Sequence, residues 1–559
     1  MTKINGKKLL NEWLFQNEKD HGDKVYLRQP RQGQWYEYTW GQVVHQARQV
    51  ARFLRESGLQ HGDRVAIYSK NCAEWFITDF GISLAGMVNV PLFANQHHES
   101  IEHVLSHAEI KMVFVGKLDN PVHARAAIPT SYPTAGFDYH NEIQVDTKWH
   151  EILAKEPLND LPQVKPDDLY TIIYTSGTAG MPKGAVYTHD TIANYLALYP
   201  LDIARICKLN HYHLISYLPL AHVYERSAVQ LGSITIPCDV SFVESLEKFA
   251  ENLREIEPTF FTAVPRIWGV FQQKIEQKLP PKKMNILLKI PGLSLLIKNK
   301  IRRQLGLARC KNCFSGASHL PISIIEFFNK LGIKIQEGYG QSENLAYATF
   351  SMLEERKPGY VGTARLQVDL KLSPEENELL IKSPCLMKRY YKEPELTAAT
   401  ITEDGWLKTG DIAEIDGFDR VKILGRLSEN FKNQKGEFVA PGPIEKLFTV
   451  DGSIEQLCLI GQGLPSNVLL VTLSETGREK DRDVLQQMLV DSLHQINGKL
   501  ASYEKISHII IVAEPWAPDN GLLTPTLKVK RRAVEAHYRE LIDAVIEKPK
   551  AVVWDGFVE

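Results

Sequence analysis

At 559 residues, 44% hydrophobic and 24% charged, the chain has a globular composition and is too long for a single hydrophobic core, which predicts two or more domains. Its net charge of −2 excludes the basic excess that nucleic-acid binders set against phosphates. Seven scattered cysteines argue against a disulfide framework and predict a reducing compartment; Cys310 and Cys313 have CxxC spacing, but no second pair or histidine cluster completes a zinc site. The N-terminal stretch lacks an apolar h-region, and no apolar run approaches the ~20 residues needed to span a bilayer, so a cytoplasmic protein is expected.

From Thr39, apolar residues at helical spacing (Val43, Val44, Ala47, Val50, Ala51, Phe53, Leu54) predict a helix that stops near Gly58. A strand-like VAIYS follows Gly62-Asp63-Arg64, then an apolar segment from Trp75 to Val90. This alternation of strand and helix signals predicts α/β structure with a largely parallel sheet. Residues 118–160, rich in Pro, Asn, His and Asp, read as irregular connecting chain.

Leu169 to Ile173 reads as a buried strand and leads into YTSGTAGMPKG, Tyr174 to Gly184. Gly177, Gly180 and Gly184 let backbone amides turn inward; Thr175, Ser176, Thr178 and Lys183 add donors, so a polyphosphate is the natural guest. Pro182 before Lys183 and Gly184 after it exclude a Walker A loop. The order of residues resembles the phosphate loop of the adenylate-forming, acyl-activating enzymes, with Ala179 where a second Thr is usual.

Further segments carry the resemblance in order. HYHLISYLPLAHVYER, His211 to Arg226, predicts a strand over residues 215–218 stopped by Pro219, then a turn bearing His222, Tyr224 and Glu225. LPLAHxxE is similar to a substrate-side motif of long-chain acyl-CoA synthetases, which implies that His222 lines the site. Residues 282–303 mix Leu and Ile with seven Lys and Arg. The favoured reading is a helix packed on the core with snorkelling lysines, the alternative an interfacial membrane contact. Gly316-Ala317-Ser318 and the run Glu337-Gly338-Tyr339-Gly340 place small residues at strand ends, where α/β sheets bind ligands and a flat base can lie against backbone.

Tyr339 to Glu343 resembles the family's YGxTE, with Ser342 keeping the hydroxyl; Glu343 suits Mg2+, which favours one or two carboxylates plus substrate phosphates. Residues 377–397 resemble the family's GELxxxGPxxxxGYYxxPExT, with Asn377, Ser383 and Arg389 where glycine is usual. Asp404 to Asp411 matches DGWxxTGD, and an ionised Asp411 suits two ribose hydroxyls. Gly425-Arg426 closes a strand, and Ser428 and Glu429 replace the usual Lys-Asp of the hinge. NGLLTPTLKVKR, Asn520 to Arg531, looks like the lysine loop of long-chain acyl-CoA synthetases; Lys528 aligns with the catalytic lysine, while Lys530 and Arg531 are expected to face solvent or nucleotide.

Together these motifs run in order over roughly residues 40 to 535. The resemblance implies an α/β fold, with a large N-terminal domain of layered α/β subdomains (residues 1–426) and a small mobile α+β C-terminal domain (427–559). It implies ATP, Mg2+ and coenzyme A acting on a fatty acid. Lys528, Glu343 and His222 are the expected catalytic residues. Thr175, Ser176, Gly177, Thr178, Gly180, Lys183, Gly316, Ala317, Ser318, Glu337, Gly338, Tyr339, Gly340, Ser342, Asp411 and Arg426 are expected to bind nucleotide, and Glu343 to hold the metal. Phe260, Phe261, Ile267 and Trp268 are candidates for an apolar acyl pocket. No nucleic acid and no obligate protein partner are expected. Three alternatives stay open: an adenylating enzyme with another acceptor, a catalytically weakened nucleotide-binding relative, and a membrane-surface protein acting through residues 282–303. An amino-acid activator would carry an aspartate near residues 217–226, and none is there.

Overall fold

The computed structural model describes residues 6–119, 125–139, 143–175, 181–206, 209–434, 436–448 and 452–555. Two compact units divide the chain. The first comprises Met1–Thr175, Met181–Leu370 and Ile381–Leu407; the second comprises Lys371–Leu380 and Lys408–Glu559.

In the first unit, the helix predicted from Thr39 spans Trp40–Glu56. Thr39 caps it, its Oγ1 accepting from the Gln42 amide while the Gln42 side chain accepts from the Thr39 amide. The apolar segment from Trp75 resolves into the fully buried helix Ala73–Leu84 and the strand Val88–Leu92. Arg64–Tyr68 pairs in parallel with Val88–Leu92 on one side and Ile110–Val115 on the other, as continuous apolar strands do when both faces are covered. The sheet has eight strands, in the order Arg389–Tyr390, Gly184–Thr188, Leu169–Tyr174, Val88–Leu92, Arg64–Tyr68, Ile110–Val115, Thr134–Gly136 and Thr147–Lys148. Its last two strands, with the helix Trp149–Leu153, give local order to a region expected to be irregular.

A five-stranded sheet begins with the parallel strands Phe260–Ala263, Asn312–Ser315 and Ile335–Tyr339. A four-stranded sheet places Tyr212–Ser216 and Val25–Arg31 in parallel on either side of Cys238–Phe242. The predicted strand over 215–218 thus begins earlier and ends at Ser216, because Tyr217 turns out of the ladder to meet Glu225.

Residues 282–303 form two helices, Pro281–Leu287 and Leu293–Gln304, joined across Pro291 and a left-handed Gly292 (φ 78°). The expected packing on the core is met in part: Met284 and Ile301 are buried in it, and Leu288 and Ile297 pack against it. Ile286, Ile290, Leu295 and Leu296 are instead 66, 45, 64 and 67% exposed.

The second unit is built on strands Ile454–Ile460, Asn467–Leu473, Ile506–Ile511 and Val552–Trp554, in that order. Alternation sends Leu459, Leu469 and Val471 toward the helix Arg482–Asn497, and Cys458, Val468 and Leu470 toward Val534 and Ile542 on the other face. The molecule is a mixed α/β protein with a large N-terminal and a small C-terminal domain, as expected.

Candidate active site

Two paired strands flank the glycine-rich segment. Leu169–Tyr174 and Gly184–Thr188 pair antiparallel with Tyr174 opposite Gly184, and the Thr175 amide donates to the Lys183 carbonyl at 2.8 Å. Gly184 permits this closure: a Cβ there would lie 2.6 Å from Ile172 Cγ2 and 3.2 Å from the Tyr174 ring. Ser176, Gly177, Thr178, Ala179 and Gly180 lie outside the described residues; Thr175 and the exposed Lys183 stand at the two ends of the loop.

The returning strand Gly184–Thr188 is a gripping element. The buried Tyr187 hydroxyl donates to the Ser342 carbonyl and accepts from the Leu345 amide (2.9 Å), fixing the turn that bears Glu343. On its other edge, Arg389 and Tyr390 pair with Val186 and Ala185. From there the Tyr390 hydroxyl donates to Glu343 Oε1 at 2.6 Å, and the Met387 amide donates to the Glu343 carbonyl at 2.8 Å. The half-buried Glu343 carboxylate is therefore oriented by residues mounted on the strand that leaves the loop. Arg389, where glycine is usual in the resembling motif, points to solvent and does not disturb this pairing.

Beside the turn, the parallel strands Asn312–Ser315 and Ile335–Tyr339 end together, with Ser315 opposite Glu337. Gly316 lies against the other strand so closely that a Cβ would come 3.3 Å from the Gly338 carbonyl oxygen. Ala317 adopts φ 68°, and Ala317 and Ser318 are exposed beyond the strand end. Gly340 has no room for a side chain, a Cβ there lying 2.5 Å from Ala346 Cα. The buried Glu337 carboxylate accepts from the Gly359 amide at 3.0 Å. The result is a bare backbone ledge outside the carboxyl ends of parallel strands, where open α/β sheets bind ligands.

His222 caps the short helix Val223–Glu225, its Nδ1 accepting from the Tyr224 amide at 3.2 Å, and is half-buried. The deeper acid of that motif is Glu225. Its Oε1 accepts from Ser216 Oγ (2.8 Å), the Tyr217 amide (3.0 Å) and Asn71 Nδ2 (3.3 Å), and burial pushes its pKa up to about 8 despite those donors. Glu225 lines a small cavity with Leu214, Tyr217, Tyr224, Phe260 and Thr262. The two tyrosine hydroxyls are engaged by Thr262, at 2.6 Å to its carbonyl and 2.8 Å to its Oγ1. Of the four expected pocket residues, Phe260 lines this cavity, Phe261 and Trp268 are fully buried in the core, and Ile267 packs against it.

The remaining candidates belong to the second unit. Asp411 and Arg426 face each other across the antiparallel pair Leu407–Ile415 and Val421–Arg426, with Arg426 Nε 2.9 Å from Asp411 Oδ1. Asp411 is buried and its amide is held by Thr409 Oγ1 at 3.1 Å. Lys528 ends a tight turn: its amide donates to Thr524 Oγ1 (3.0 Å), its carbonyl accepts from the Thr524 amide (2.8 Å), and Leu527 takes φ 62°. Arg531, expected to face solvent or nucleotide, is instead built into the unit. Its guanidinium reaches Glu445 (2.7 Å) and the Leu459 carbonyl (2.6 Å) and lies 3.7 Å from Glu429, which accounts for an acid at that departure from the hinge motif.

Tyr187, Tyr390 and the structural part played by Glu225 escape sequence reading. Tyr390 lies in the motif of residues 377–397, but nothing local ties it to an acid 47 residues earlier.

The paired strands that flank the glycine-rich segment, the bare ledge at strand ends and the oriented Glu343 lie on an α/β scaffold. The AMP-binding enzyme pattern matches residues 14–391 and the AMP-binding enzyme C-terminal domain matches residues 432–550. The chain belongs to the AMP-binding enzyme family and is an adenylate-forming enzyme. It is similar to a peroxisomal long chain acyl-CoA synthetase of Arabidopsis thaliana (28% identical, covering 90% of this chain and 81% of that one). It is also similar to a long-chain-fatty-acid–CoA ligase of Mycobacterium tuberculosis (27%, covering 96% of each). In fold it resembles the adenylation domain of a carboxylate reductase from Mycobacterium chelonae, with a TM-score of 0.79 at 24% identity over 98% of this chain and 92% of that one.

Proposed function

We propose that this protein is an AMP-forming ligase that activates a long-chain fatty acid as its acyl-adenylate and transfers the acyl group to coenzyme A. The observation that carries the reading is the oriented Glu343 beside the phosphate-loop hairpin, in a chain similar over nearly its whole length to long-chain acyl-CoA ligases.

In the first step a fatty carboxylate oxygen attacks the α-phosphorus of ATP, and pyrophosphate leaves. Such phosphoryl chemistry needs positioning and charge neutralisation more than covalent help. Thr175, Ser176, Gly177, Thr178, Gly180 and Lys183 would hold the β- and γ-phosphates. The ledge formed by Gly316 to Ser318 and Glu337 to Gly340, with Ser342, would seat the adenine. Asp411 and Arg426 would meet the ribose. A Mg2+ ion fits Glu343, a single oriented carboxylate, and when bound would neutralise phosphate charge. Lys528 would bridge the carboxylate and α-phosphoryl oxygens as charge develops. In the second step the coenzyme A thiolate attacks the acyl carbonyl and AMP leaves. We place the domain boundary between residues 426 and 427 and the hinge at Ser428, whose rotation would withdraw Lys528 between the steps. His222 would line the acyl side, and the Phe260 cavity would begin the acyl channel.

The exposed helices of residues 281–304 fit an anionic bilayer surface. Ile286, Ile290, Leu295 and Leu296 stand beside exposed Lys282, Lys283, Lys289, Lys300 and Arg303, the pairing of apolar and cationic groups that binds lipid headgroups. Among the described residues no helix is long and apolar enough to cross a membrane; the contact proposed is peripheral, for a cytoplasmic protein at the inner face of the membrane.

The test is pyrophosphate release from ATP-Mg with acids from acetate to oleate, with and without coenzyme A. Release rising with chain length and matched by thioester supports the ligase. Release without coenzyme A consumption would assign another acceptor, and no release with any acid would overturn the reading.

A further inference from the structure

At the starts of the strands Tyr212–Ser216 and Cys238–Phe242, His211, His213 and Asp239 bring two imidazoles and a carboxylate together. His213 and Asp239 are direct partners on the parallel strands Tyr212–Ser216 and Cys238–Phe242, and His211, two residues before His213, presents its side chain on the same face. His211 Nε2 and His213 Nδ1 each lie 2.8 Å from the same oxygen, Asp239 Oδ1, and all three ligand atoms fall within 4.8 Å of one another. The frame is rigid. The His213 amide donates to Thr259 Oγ1 and the Thr259 amide to the His213 carbonyl, both at 3.0 Å, while Asp239 is buried at the start of its strand. His211 is 48% exposed on its side chain, leaving one side open to solvent.

We infer that this cluster is a divalent-metal site for a borderline ion such as Zn2+, held by His211, His213 and Asp239 with water completing the tetrahedron. Ligand atoms around tetrahedral zinc sit about 3.3 Å apart, so each of the two 2.8 Å imidazole–carboxylate contacts opens by about half an ångström while the two ring nitrogens settle at that same spacing. On binding, the two imidazole nitrogens that now donate to Asp239 meet the ion with lone pairs, their protons moving to the opposite ring nitrogens. The nitrogen-rich set separates this ion from Mg2+, which takes oxygen ligands. Because the strands run roughly 13–17 Å to their carboxyl ends, the ion clips two strand starts together and takes no part in adenylation.

The full-length protein, stripped with chelator, is dialysed against Zn2+ in excess Mg2+ and the bound metal counted. One Zn2+ per chain is expected, with binding weakened at least about tenfold in His211→Gln and a Zn2+-dependent rise in Tm present in wild type and absent in the variant. Pyrophosphate formation with Mg2+ alone should be equal in the two proteins. Zn2+ bound equally by both, for instance at the buried pair Cys310 and Cys313 whose sulfurs lie 3.5 Å apart, would overturn the assignment, as would no binding by wild type.

Discussion

Lys528 stands on a turn that the chain builds from Thr524 and a left-handed Leu527, so its backbone position is set before any substrate arrives. Lys528→Ala should lower adenylate formation by about a hundredfold or more while largely sparing thioester formation from supplied acyl-adenylate. Separate half-reaction assays check this, and near wild-type adenylation would remove the lysine from the mechanism. Glu225 acts differently. With its pKa raised from 4.5 to about 8, the folded state keeps a proton that the unfolded chain releases between those values. Its contribution to stability is full below about pH 4.5 and is lost as pH rises through about 8. Glu225→Gln cannot ionise and should flatten the fall in Tm between about pH 5 and 9. An unchanged slope would show that other groups control it. Lys528, Glu343 and Asp411 could be proposed from the sequence because the chemistry assigned to them demands particular residue types inside short motifs. Tyr187 and Arg531 could not: the first holds a turn 155 residues away and the second an acid 86 residues away, and no local pattern announces such pairings.

Among the elements, strand and helix positions in the sheet layers followed from periodicity, since buried parallel strands leave unbroken apolar runs. The helices at 281–304 show where periodicity stops informing. An apolar face with flanking lysines looks the same whether or not protein covers it; here Leu288 and Ile297 pack against the core while Ile286, Leu295 and Leu296 stay exposed. Replacing those three by Ser should abolish co-sedimentation with anionic vesicles and leave adenylation of a short soluble acid unchanged. Equal sedimentation of variant and wild type would dispose of the membrane contact.

At the scale of the large domain, a buried ion pair joins the layers. Arg226 and Asp79 are 2.5 Å apart and wholly buried, and Asp79 also accepts from Tyr170 and Gln230, both at 2.6 Å. These residues come from the helix Ala73–Leu84, the strand Leu169–Tyr174 and the short π-helix Arg226–Leu231. Arg226→Met should destabilise the protein by about 3–5 kcal/mol by stranding the Asp79 charge. Adding Asp79→Asn should recover part of that loss in the same unfolding measurement. No recovery would mean that packing rather than charge dominates.

One strand serves both the loop and the acid. Gly184–Thr188 carries the return of the hairpin, anchors the Glu343 turn through Tyr187 and pairs with the segment that presents Tyr390. The hairpin strands and the Glu343 turn are thus energetically entangled. In a double-mutant cycle the effects of Tyr187→Phe and Tyr390→Phe on the Mg2+ dependence of adenylation will not sum, because each change alters the reference state of the other.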